Sequence, residues 1–130
     1  MKVEHRPWGQ FEVLYEDSKC VVKKITIYPR SRFSLQYHGY RDEIWICTHG
    51  HIRVYGDKYN LVDGHPLRYG ESITIKKGHT HRAFNPLKEN STFIEIQTGD
   101  KLSEDDIIRL EDDYGRVKNS TLPSFLHDMA

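Results

Sequence analysis

The chain has 130 residues, enough for one domain with a real core and too few for a second catalytic module. Nineteen Lys and Arg balance nineteen Asp and Glu, so no basic footprint recommends a nucleic-acid partner. No apolar run approaches a membrane span and the first eight residues lack the apolar stretch of a secretion signal, so a cytoplasmic protein with no membrane partner is expected.

Short β-type runs separated by turns dominate the chain. Gln10 to Tyr15 and Cys20 to Tyr28 read as strands, the second rich in β-branched residues and closed by Pro29. Within it Lys23 and Lys24 are adjacent, so at least one lies on the solvent side. Further strands are predicted at Phe33 to His38, Glu43 to Thr48, His51 to Tyr55, Leu67 to Tyr69, Ser72 to Ile75, His81 to Asn85 and Ser91 to Thr98, with Gly, Asp-Gly and Asn-Pro turns between them. This rhythm predicts an all-β sandwich or jelly roll. One short helix is expected over Ser103 to Asp113, where Ser103 and Asp106 resemble a capping box and Ile107, Ile108 and Leu110 form an apolar stripe. The domain is expected to span 1–117, followed by a tail over 118–130 whose Leu122, Phe125 and Leu126 could dock on a neighbour. Cys20 and Cys47 have neither the number nor the spacing of a disulfide framework and read as reduced packing residues.

Chemistry concentrates in two segments. In Ser34-Leu35-Gln36-Tyr37-His38-Gly39-Tyr40-Arg41-Asp42-Glu43, a strand's period of two puts Ser34, Gln36, His38 and Tyr40 on one face. Glu43 follows past a bend. Gly78-His79-Thr80-His81-Arg82-Ala83-Phe84-Asn85 brings a second histidine from a distant part of the chain. Two pieces converging on one ion is what a mononuclear metal site needs.

The two segments resemble the two motifs of the cupins. From about Arg6 to Arg116 the chain resembles the cupin domain of type II mannose-6-phosphate isomerases. The resemblance rests on Arg6-Pro7-Trp8-Gly9, on Ser34-Leu35-Gln36-x-His38 with Arg41-x-Glu43-x-Trp45, and on Gly78-x-x-His81-Arg82-x-x-Asn85-Pro86. It continues through Ile94-Glu95-Ile96-Gln97-x-Gly99, Glu104-Asp105-Asp106-Ile107-x-Arg109 and Asp113-Tyr114-Gly115-Arg116. It implies a cupin jelly roll. In many relatives a sugar-1-phosphate nucleotidyltransferase domain precedes this one; 130 residues cannot contain it, and guanylyltransferase activity is not expected of this stretch.

Three positions depart from the family pattern. Cupins commonly carry His-x-His in the first motif, where this chain has His38-Gly39-Tyr40; the usual Pro-Gly before that motif is Pro29-Arg30; and the usual Pro of the second motif is Lys76. Larger phosphomannose isomerases resemble one another in using a Gln-x-His pair with a Glu and a later His around zinc. Gln36, His38, Glu43 and His81 reproduce that set, which implies one divalent ion per chain, zinc first, with manganese, cobalt, nickel or iron as alternatives.

The reaction implied is interconversion of mannose 6-phosphate and fructose 6-phosphate through an enediolate, with the cation stabilising the developing charge. The proton-transfer group is left open among Tyr40, His79 and an unligated Glu43. Tyr40 and Arg82 stand as catalytic candidates, and Ser34, Arg41 and Asn85 as contacts to the sugar phosphate. Strict alternation would point Arg41 and Arg82 to solvent unless a bend turns them. Glu95 and Gln97 share a face, and the pattern does not say whether it is the cavity's. Asp105, Asp106 and Arg109 read as residues of a helix end rather than of the site. Two other functions fit the fold: a non-catalytic sugar-phosphate-binding cupin, and a metal-independent isomerase or epimerase of nucleotide-linked sugars. Exposed sheet edges make a homodimer the expected assembly.

Overall fold

The computed structural model describes residues 2–116, which form eleven strands and, among those residues, no helix. Two antiparallel sheets face each other. The first runs, in spatial order, β1 (Val3–Arg6), β2 (Gly9–Glu16), β3 (Cys20–Ile27), β10 (Ser91–Thr98), β5 (Asp42–His49) and β8 (Ser72–Ile75). The second runs β11 (Ile108–Glu111), β4 (Leu35–Tyr37), β9 (His81–Phe84), β6 (His51–Gly56) and β7 (His65–Arg68). This is the expected jelly roll. The tail beginning near residue 118, with Leu122, Phe125 and Leu126, lies outside the described residues.

Period-two burial builds the interior. Val21, Lys23, Ile25 and Ile27 of β3 point inward, as do Phe93, Glu95 and Gln97 of β10 and Glu43, Trp45 and Cys47 of β5. The register aligns them in rows: Ile25, Phe93 and Cys47; then Lys23, Glu95 and Trp45; then Val21, Gln97 and Glu43. Apolar side chains, among them Trp8, Phe11, Ile27, Phe33, Ile52, Val54, Leu67, Ile75 and Ala83, close the core. The inward face therefore grades from hydrocarbon to charge. A buried polar row in so small a domain is the informative departure.

Three elements differ from the expectations. β1 escapes the pattern because Glu4, His5 and Arg6 make an edge strand with no apolar face. β7 begins at His65 and tolerates Pro66 because it is the sheet's edge, where a missing donor is harmless. The stretch 103–113 is a turn followed by β11 rather than a helix. There the Asp106 carbonyl accepts from His38 Nδ1 at 2.5 Å instead of closing a helical turn. The Asp106 carboxylate likewise accepts the Gly39 and Tyr40 N–H groups at 2.8 and 3.0 Å. Meanwhile β4 offers an open edge, and Ile108, Arg109 and Glu111 pair with it.

Candidate metal centre

Four of the side chains singled out in the sequence meet at the polar end of the barrel. His38, Glu43 and His81 are buried, and one ligand atom from each lies within 4.8 Å of the others. Gln36 completes the group: it is His81's direct partner across β4 and β9, and its Nε2 is 3.4 Å from His38 Nε2. Gly56 permits this approach from the other side, since a Cβ there would stand 2.1 Å from the Thr80 carbonyl oxygen and push β6 off His81.

Each imidazole is oriented through its far nitrogen. His38 Nδ1–H donates to the Asp106 carbonyl and His81 Nδ1–H donates to the His79 carbonyl at 3.1 Å, so both Nε2 lone pairs face Glu43. The carboxylate lies 3.2 Å from His38 Nε2 and 3.9 Å from His81 Nε2. His81 Nε2 is buried with no partner among the described residues. Burial lowers both imidazoles, that of His38 to about 4 against an opposing pull from Glu43, so both are neutral at pH 7. Burial by itself would raise Glu43, but Arg41, His38, His81 and the Trp45 indole hold it low and ionised. Two neutral imidazoles and a carboxylate around an unsatisfied lone pair fit a divalent cation of the zinc type. Gln36 Oε1 accepts the Ser34 hydroxyl at 2.6 Å, and because that hydroxyl can also accept, the amide can turn to offer its oxygen inward without losing Ser34. Ser34 is buried, with its hydroxyl on the Gln36 amide.

Arg41 is the departure from simple alternation. The bend at 38–40 turns it inward, where its Nε–H donates to Glu43 at 2.8 Å and its Nη2 lies 3.2 Å from His38 Nε2. It therefore places a positive charge on two of the acceptors a metal would use.

The remaining candidates lie elsewhere. Tyr40 is 55% exposed, with its ring under the Lys101 ammonium, because the Asp106 clamp ends the alternation before it; it does not join the cluster. Arg82 is buried on the far side of β9, donating to the Phe33 carbonyl at 2.8 Å and to Glu111, where it ties β9 to β11. Asn85 is fully buried, and its amide is spent on the Ile27, Tyr28 and Glu89 carbonyls, the Leu87 N–H and Ser91. Both side chains thus make structural hydrogen bonds, and neither is among the groups that meet at the cluster.

A cavity of about 160 Å³ opens beside the cluster. Gln36, His38 and Arg41 line it together with the apolar Trp8, Phe11, Ile25, Phe33 and Ile107, the acids Glu95 and Glu104, and the cations Lys23, Arg6, Arg109 and Arg116. Glu95 settles the strand face that the sequence left open. Burial, reinforced by the Glu43 charge, pushes its carboxyl up to about 8, and Gln97 donates to it at 2.6 Å. Its inward neighbour Lys23 is ion-paired with Glu104, while Lys24 faces solvent. The signal for Glu95 was present as an acid between two isoleucines in a β-branched run; Arg109 was hidden by the helix assignment.

Two facing sheets around a His and Glu cluster of this kind define a cupin. A cupin described as a sugar phosphate isomerase from Silicibacter pomeroyi has the same fold, with a TM-score of 0.61 at 23% identity over 70% of this chain and 59% of that one. A double-stranded β-helix protein from Klebsiella pneumoniae gives 0.69 at 17% identity, over 84% and 90%. The family profile "Mannose-6-phosphate isomerase C-terminal" matches residues 1–112, and the chain belongs to that family. Among curated relatives, the xanthan biosynthesis protein XanB of Xanthomonas campestris is 42% identical over 87% of this chain. The alginate biosynthesis protein AlgA of Pseudomonas aeruginosa is 39% identical over 91%, and the mannose-1-phosphate guanylyltransferase ManC of Salmonella typhimurium 38% over 87%. The chain spans only 23–24% of the length of these relatives.

Proposed function

We propose that this domain is a metal-dependent aldose–ketose isomerase interconverting mannose 6-phosphate and fructose 6-phosphate. The observation that carries the reading is the buried His38, Glu43, His81 cluster, with an unpartnered imidazole nitrogen, opening on a cationic cavity in a member of this family. His38, Glu43, His81 and a turned Gln36 would hold the ion, zinc first among divalent cations. When bound it supplies Lewis-acid polarisation of substrate oxygens. The chain's own residues supply the rest. Arg41 adds a fixed positive charge beside the site of developing negative charge. Glu95, protonated at neutral pH yet close to its midpoint, is suited to carrying a proton between adjacent carbons. Trp8 and Phe33 keep the cavity wall dry.

The test is elemental analysis of untagged protein together with an isomerisation assay on the native chain, His81→Ala and Glu95→Gln. About one divalent ion per native chain, lost with activity in His81→Ala but kept by an inactive Glu95→Gln, supports the reading. A metal-free native chain that stays inactive after divalent ions are added sinks it. A second reading, a metal-free cupin that only binds a sugar phosphate, is favoured by one observation: the Arg41 guanidinium already satisfies Glu43 and His38. Sugar-phosphate affinity without metal or turnover would move it to first place.

A further inference from the structure

Four cations that the proposed chemistry does not use also line the cavity, with Glu104 beside them. Arg6 comes from β1, Lys23 from β3, Arg109 from β11 and Arg116 from the turn after it. Three of the four have counter-charges. Arg6 lies 3.3 Å from Glu4, Lys23 pairs with Glu104, and Arg116 grips Asp112 through two bonds of 2.7 and 3.0 Å. Arg109 has none: its guanidinium makes no hydrogen bond or ion pair among the described residues, and its Nε is buried without a partner. Burial and the neighbouring Arg116 and Arg6 all work against its charge, with only Asp112 opposing them. A guanidinium stays charged even so, which leaves a cation lacking its anion.

Register fixes where that anion would sit. Arg109 is the direct partner of Gln36 across β11 and β4, and Gln36 is the direct partner of His81 across β4 and β9. The three stand in one row on the inner face, about one strand spacing of 4.8 Å apart. A single small molecule in this cavity therefore meets the metal-competent groups at one end and Arg109 at the other. The planar guanidinium fork matches the oxygens of a phosphate; Arg6 and Arg116 lie beside it, each already paired with a carboxylate, so Arg109 supplies the uncompensated charge.

We propose that Arg109, flanked by Arg6 and Arg116, is the phosphate-binding residue of this cavity, holding a phosphate monoester whose sugar end lies toward Gln36 and His38. The assignment rests on the sugar-phosphate reading of the site, and its test separates the two. Calorimetric dissociation constants are measured for mannose 6-phosphate, inorganic phosphate and unphosphorylated mannose, with metal content and thermal midpoint recorded for each protein. The variants are Arg109→Met, Arg109→Lys and, as a control for lost surface charge, Arg53→Met, whose guanidinium donates to the Asp63 carbonyl.

Arg109→Met is expected to weaken mannose 6-phosphate and phosphate about 10- to 100-fold, the loss of a charge-assisted pair, while mannose binding and metal content hold. Arg109→Lys keeps the charge without the fork and is expected to weaken both phosphate ligands at least about threefold, which keeps the test readable if the Met variant does not fold. Binding of mannose 6-phosphate at native affinity by either folded variant overturns the assignment, as does an equal loss in Arg53→Met. Native protein that binds phosphate through Arg109 without isomerising sinks only the isomerase reading. Native protein that isomerises with a KM unmoved by Arg109→Lys sinks only the phosphate site.

Discussion

The Nδ1–H of His38 donates to the backbone carbonyl of Asp106 at 2.5 Å, across 68 residues of sequence. One residue thereby turns a surface-bound segment into part of the metal-competent cluster, because the Asp106 carboxylate also holds the backbone of Gly39 and Tyr40. Asp106→Ala is expected to lose two charge-assisted bonds, costing about 1–3 kcal/mol, and to free the bend that aims His38. Loss of such an orienting partner typically weakens metal affinity about 10-fold or more. Zinc titration of the variant with a competing chelator checks this, and native affinity would mean His38 is not oriented through this segment.

Arg41 and a divalent cation share the acceptors Glu43 and His38 Nε2. Removing the guanidinium by Arg41→Met leaves Glu43 buried without its ion pair, a loss of about 3–5 kcal/mol in metal-free protein. Added zinc is expected to restore most of that stability and to bind more tightly than in the native chain. Thermal unfolding with and without zinc checks both, and a variant that zinc cannot rescue would count against the cluster as a cation site.

Two groups make stability depend on pH in opposite senses. The folded pKa of His38 is depressed to about 4, so the folded state binds its proton less tightly than the unfolded chain, and stability falls as pH drops from about 6.5 toward 4. The folded pKa of Glu95 is raised, so its contribution is complete below about 4.3 and is lost as pH rises through about 8. While one proton separates the states, each pH unit changes stability by about 1.4 kcal/mol. Glu95→Gln is therefore expected to be more stable than the native protein at pH 8, with little difference at pH 4.5, and inactive throughout. Urea unfolding at the two pH values measures it; a variant that gains nothing at pH 8 would show that Glu95 ionises freely.

Arg30 adopts a φ of 56°, in the left-handed region that favours glycine. That conformation costs a side-chain-bearing residue about 1–2 kcal/mol, while glycine adds about 0.4–1 kcal/mol of unfolded-state entropy. Arg30→Gly is expected to stabilise the domain by up to about 1 kcal/mol without changing metal content. Chemical denaturation of the two proteins decides the sign.

Period-two patterning made most of the architecture legible: the all-β class, nine of the strands in outline, and the pairing of Gln36 with His38 on one face. These are local properties, set by alternating polarity and by where Gly and Pro punctuate it. Glu43, past a bend, and His81, from a distant segment, were also legible as metal-competent groups, and the structure brings them within reach of that pair. Tertiary structure decided the rest. Alternation presumes a straight strand, but Asp106 bends the chain after His38, sending Tyr40 out and Arg41 in. Helical propensity at 103–113 lost to ladder bonds on the open edge of β4, which moved Arg109 from a helix end into the cavity wall. Glu95 became a raised carboxyl only because β10 lies between β3 and β5, where burial and the Glu43 charge act on it together. Each of these turns on a partner dozens of residues away, whose position no local pattern encodes.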